Sequence, residues 1–167
     1  MGWELKALKA RNLTAAVTLA KRYRDLNQPD EAESICRDIL AVAPDNDEAR
    51  RTLGLALTDR FPAAYVTLFD EACTTFDKLR SEYDRVYYTG IAWERYAKAQ
   101  LEAGRVENAI HAFEEAIRRF DRSDKLGSPD DPDSVLHYNR CVRALTTHPD
   151  IVRVSERPPP PDYEFGD

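Results

Sequence analysis
The chain has no long apolar run, few glycines and little cysteine, and each shortage narrows what it can be. No stretch approaches the roughly 18 consecutive apolar residues of a membrane-spanning helix, so membrane insertion is not expected. The first residues lack an apolar signal segment, and in "MGWELK" Lys6 stands where a myristoylation signal has Ser or Thr, so a cytoplasmic location is the expectation. The six glycines are scattered, leaving no phosphate-cradling loop, dinucleotide fingerprint or nucleophile elbow. Cys36, Cys73 and Cys141 lie far apart without metal-ligand spacing and read as small buried hydrophobes. His137, one helical turn before Cys141, is the one neighbour well placed to lower a thiol's pKa. The histidines 111, 137 and 148 are not spaced as metal ligands, and a calcium loop starting at Asp121 would need Gly at Leu126 and Glu at Pro132. No catalytic residue, metal or cofactor is expected. The net charge of −6 opposes nucleic acid, whose binding rests on neutralising phosphates.

What is present is a helical pattern that recurs. In "WERYAKAQLEAGRVENAIHAFEEAI", Trp93, Tyr96 and Ala97 fall at i, i+3 and i+4, Gly104 interrupts, and Ala109, Phe113 and Ala116 mark a second helix face. The small residues Ala97 and Ala109 suit a close helix–helix approach. Upstream, Ala16, Leu19, Ala20 and Tyr23 are followed by "LNQPD" and then Ala32, Cys36 and Ile39, with Ala20 and Ala32 spaced as Ala97 and Ala109 are. A middle copy opens at Leu53, Gly54 and Leu57 and continues at Ala72, Phe76 and Leu79. Six extra residues fall inside it around Phe61 and Pro62, and three more precede the third copy in "SEYDRVYYTG". Alanine, leucine and charged residues dominate, and no segment alternates as a strand does. The class is all-α.

This order of large and small residues resembles that of the tetratricopeptide repeat, whose period of 34 residues separates Ala20 from Gly54, over roughly residues 12–120. The resemblance implies a right-handed α-solenoid of antiparallel helical hairpins, here at about 12–44, 46–82 and 84–120, and a function in holding other proteins. Residues 1–148 then form one helical domain. Terminal units of such arrays need a cap. A helix at 134–147, capped by Asp133 or Ser134 and carrying Val135, Leu136, Tyr138, Cys141, Val142 and Leu145, is expected at one end. Trp3, Leu5 and Leu8 are expected to cover the other.

In the family, first helices line a concave groove. Groove positions outside the packing set are Thr14, Val17, Thr18, Lys21 and Arg24; Glu48, Arg51, Thr52, Leu55 and Asp59; and Ile91, Glu94, Arg95, Lys98 and Leu101. Thr18, Lys21, Arg24, Arg51, Leu55, Arg95 and Lys98 are the partner-binding candidates. Their basic members favour an acidic, partly apolar protein segment, since Arg pairs with carboxylates through two hydrogen bonds. The family's chaperone-tail clamp is not reproduced, because Val17, Lys21, Thr52 and Ile91 depart from it and only Arg95 agrees. Residues 149–167 are expected to be an extended, Pro-rich acidic tail in which Pro160, Pro161, Tyr163 and Phe165 form a docking motif. The leading expectation is a protein-interaction adaptor or scaffold that is not an enzyme. The alternative is a self-assembling structural protein, a homo-oligomer in which one copy's tail docks on the next. A small ligand site at Tyr83, Tyr87, Tyr88 and Trp93 is a distant third.

Overall fold
The computed structural model describes residues 2–156, with the backbone alone considered for 62–66. The tail motif Pro160, Pro161, Tyr163 and Phe165 lies outside the described residues. Among the described residues eight α-helices follow one another: α1 (Leu13–Asp25), α2 (Pro29–Val42), α3 (Asp47–Asp59), α4 (Phe61–Asp77), α5 (Glu82–Glu102), α6 (Val106–Leu126), α7 (Asp133–Thr147) and α8 (Pro149–Ser155). No strand occurs among the described residues. Each helix packs on the next, and α1, α3, α5 and α7 also touch in sequence, as in a helical solenoid of stacked hairpins.

The helix starts carry their own chemistry. Asn46 accepts a hydrogen bond from the Ala49 backbone N–H at 2.9 Å, and Asp47 and Glu48 sit in the first turn of α3, where carboxylates oppose the helix dipole. Ser81 does the same for Asp84 at 3.3 Å ahead of α5. Pro29 opens α2 at a position whose N–H would have no helical partner. The turns after α1 and α5 use left-handed residues, Asn27 (φ 58°) and Gly104 (φ 73°). Helices α3 and α4 are separated by Arg60 alone, so the extra residues of the middle copy form the first turns of α4. Phe61 at that corner is fully buried.

Small residues set the interhelix distances. Ala20, Ala32, Ala72, Ala97, Ala109 and Ala116 are fully buried. A Cβ on Gly54 would stand 2.2 Å from the Phe76 ring, so α3 and α4 approach only because position 54 has no side chain. Phe76, Phe113 and Phe120 fill the wedges between hairpins, each burial stabilising by about 1.5–3 kcal/mol. Two apolar clusters share Leu55, Tyr88 and Tyr96, which joins the hairpins into one core.

Several expectations are corrected. Leu19 is 43 % exposed, because α1 is the end helix and nothing packs on that side. Tyr23, Trp93 and Tyr96 are half-buried. Trp3 and Leu5 stand almost fully in water, residues 2–9 form no helix, and of the three only Leu8 reaches the core. Residues 149–155 are helix α8 instead of extended tail. Pro149 opens this helix as readily as it ends α7, and Ile151 is anchored among Phe113, Phe120 and Cys141. In α7, Cys141, Tyr138 and Leu145 face the core, while Val135 and Leu136 remain exposed. Neither Asp133 nor Ser134 caps α7 through its side chain; Ser134 is buried and shares a 2.7 Å hydrogen bond with Ser123.

Helices α5 and α6, of 21 residues each, exceed those of the first hairpin. The added turns hold Tyr83 and Tyr87, stacked at 5.6 Å, and fix the loop that leads into α7 through a 3.0 Å hydrogen bond from Tyr83 to Asp131. The tyrosines are packing residues, and burial, aided by the nearby Asp133 carboxylate, pushes the Tyr87 phenol above its ordinary range.

Candidate partner-binding face
The first helices of the hairpins, α1, α3 and α5, together with α7, present one continuous row. The seven candidate residues all lie on it and reach solvent fully or in part. Thr18 is exposed and hydrogen-bonds the Thr14 carbonyl at 3.1 Å. Leu55 is half-buried between the two apolar clusters. Four of the other groove positions do not qualify: Val17, Thr52, Ile91 and Glu94 are buried, since their helical phase turns them toward the neighbouring helix.

The charges on this face are cross-linked. Lys21 reaches Glu48 at 3.0 Å, linking α1 to α3. Arg51 reaches Asp84 at 2.7 Å, linking α3 to α5. Asp59 accepts from Arg24 at 2.8 Å on one side and from Arg95 on the other, and so ties three first helices together. Arg95 also donates to the Thr58 hydroxyl at 2.6 Å. Glu94, 2 % exposed at its side chain, meets Lys98 at 2.8 Å, His137 at 2.6 Å and Arg140 at 2.7 Å, fastening α7 to α5. Burial alone would raise the Glu94 carboxyl. The hydrogen bonds from His137 and Lys98 and the charges of Lys98 and Arg140 outweigh it and bring the group down to about 2.

Asp84, His137 and Arg140 were missed as members of the face. Asp84 sits in the extra turn of α5, and the other two belong to a helix assigned only to capping. His137 is engaged by Glu94 and the Phe120 ring, 5.0 Å away, and so serves the helix junction instead of a thiol. Burial pushes Cys36, Cys73 and Cys141 up to about 12, far from thiolate chemistry at neutral pH. Among the described residues no group of His, Cys, Asp and Glu is placed to hold a metal, and no helix is long and apolar enough to cross a membrane.

Consecutive hairpins stacked through small residues, with first helices in a row, define a helical-repeat protein. The family profile of the tetratricopeptide repeat matches residues 92–123, which supports a tetratricopeptide-repeat assignment for that hairpin. The match covers the inner part of the α5–α6 hairpin, so the turns that dock α7 lie largely outside it. None of the curated proteins compared with the chain matches it.

Proposed function
We propose that the protein is an interaction adaptor or scaffold that holds an extended or helical segment of a partner protein along α1, α3 and α5, with an acidic segment favoured. Repeats of this family generally mediate protein–protein interaction. The observation that carries the preference is the charge ratio on the face. Lys21, Arg24, Arg51, Arg95, Lys98 and the neighbouring Arg140 stand against Glu48, Asp59, Asp84 and Glu94, so the face keeps a small excess of cations in a chain of net charge −6. Such an excess steers an acidic segment toward the face and sets its register.

The internal pairs also limit the affinity that charge supplies. A cation already paired gains only part of a new ion pair, so apolar contact near Leu55 and backbone hydrogen bonding must contribute the rest. The test is affinity capture of partners with the full chain and with Lys21→Ala combined with Lys98→Ala. Both lysines are about half exposed, and Glu94 keeps Arg140 and His137 when Lys98 is removed, so unchanged helicity and melting of the variant are checked alongside capture. Capture that weakens in the variant and in salt supports the reading; capture insensitive to both removes it.

A further inference from the structure
A second surface lies on the opposite side of α5. Helices α4 and α6 do not close over it, leaving a cleft of about 620 Å³ floored by Trp93, Thr89 and Arg85 and walled by Phe69 and by Arg118, Arg119 and Arg122. A smaller hollow of about 390 Å³ continues it past Phe69 and Trp93 to His111. The half-buried Trp93 ring is edge-on to Phe69 at 4.7 Å and carries the Arg119 guanidinium 5.1 Å from its centroid. Four guanidiniums face two lining carboxylates, Asp77 and Glu82. Their pairs differ from those of the other face. Arg118 bonds Glu115 on its own helix and Arg122 bonds Glu82 at 2.5 Å, with both arginines more than 60 % exposed. Exposed pairs of this kind contribute about 0–1 kcal/mol, so their arginines exchange readily for another carboxylate.

We propose that this cleft is occupied, within the same molecule, by the acidic aromatic segment Asp162–Asp167. Three facts select that occupant. Residues 157–167 carry three carboxylates against one guanidinium, with Tyr163 and Phe165 between them, matching arginines set around aromatic rings. The described chain ends at Glu156, just after α8, which packs on α6, the helix whose other flank walls the cleft. Tyr163 stands seven residues beyond Glu156, about 22 Å of extended chain at ~3.1 Å per residue, or twice the ~10–12 Å width of a helix. Tethering supplies an effective concentration of order millimolar, so even a weak site is filled. The four prolines 158–161 reduce the ordering that binding costs. The cleft is separate from the α1–α3–α5 face, and the inference stands or falls apart from the partner reading.

The test uses the full chain with Trp3→Phe, which leaves Trp93 as the sole tryptophan and alters only an exposed position. Acrylamide quenching then reports access to Trp93. The expected result is a protected Trp93 whose protection is lost in Tyr163→Ala with Phe165→Ala, and restored when a free peptide of residues 157–167 is added to that variant. Arg118→Glu with Arg122→Glu, at unchanged helicity, should lose protection and not respond to the peptide. Equal quenching in the parent and the Tyr163/Phe165 variant overturns the proposal, whatever the charge variant does. Protection that grows with protein concentration overturns it in favour of a second copy as the occupant.

Discussion

Glu94 is the residue on which the junction between α5 and α7 depends. Its carboxylate is enclosed and holds Lys98, His137 and Arg140 at 2.6–2.8 Å. Removing one partner of a buried ion pair destabilises by about 3–5 kcal/mol. Lys98 and Arg140 are about half exposed and can return to water, which places Glu94→Ala at the low end of that range. The titration of Glu94 gives a second measure. A carboxyl lowered from 4.5 to about 2 corresponds to about 3 kcal/mol of preference for the ionised folded state. With a urea slope of about 2 kcal/mol per molar, the midpoint should fall by roughly 1.5 M. The sign with pH follows from the direction of the shift. The contribution is complete above pH 4.5 and is lost as pH falls toward 2. The parent should therefore lose stability across that window, and Glu94→Gln should show a shallower acid slope. A Glu94→Ala midpoint within error of the parent, together with an unchanged acid slope, refutes the reasoning.

Two further outcomes test the packing. Ala109→Leu places three extra carbons in a fully closed contact of the third hairpin and should lower urea stability by about 1–3 kcal/mol; unchanged stability would mean the register of α6 on α5 is misread. Gly54→Ala gains about 1 kcal/mol of helix propensity but forces a methyl against the buried Phe76 ring, so a net loss is expected from the same melts; a stabilised variant would contradict the close approach of α3 and α4.

The class and the hairpin rhythm were legible because packing imposes a spacing on residue size. Ala20 and Ala32, Gly54 and Ala72, and Ala97 and Ala109 recur at helical phase, and all six are buried. Exposure at the chain's ends was not legible in this way. Leu19 obeys the repeat pattern, yet the first helix has no hairpin before it, so a position that is internal elsewhere faces water here. Residues 149–155 were obscured by a proline that serves equally as a stop and a start, and their helix exists because Ile151 finds a core contact on α6. On the candidate face, sequence position identified which cations line up but not what they touch. Pairing of Arg51 with Asp84, or of Arg24 and Arg95 with one Asp59, spans 33 to 36 residues and depends on helix stacking. The cleft behind α5 was invisible for the same reason, since Phe69, Trp93 and Arg119 meet only in three dimensions.

The central claim is that a partner lies along α1, α3 and α5. Site-specific photo-crosslinking tests it most directly, with a photoreactive side chain placed in turn at Thr18, Lys21 and Lys98 on that face and at Glu31 and Asp38, both exposed, on α2. The account predicts a partner adduct from the first three positions, competed by an acidic peptide, and none from the two on α2. Adducts from Glu31 or Asp38 with none from Thr18, Lys21 and Lys98 would contradict it.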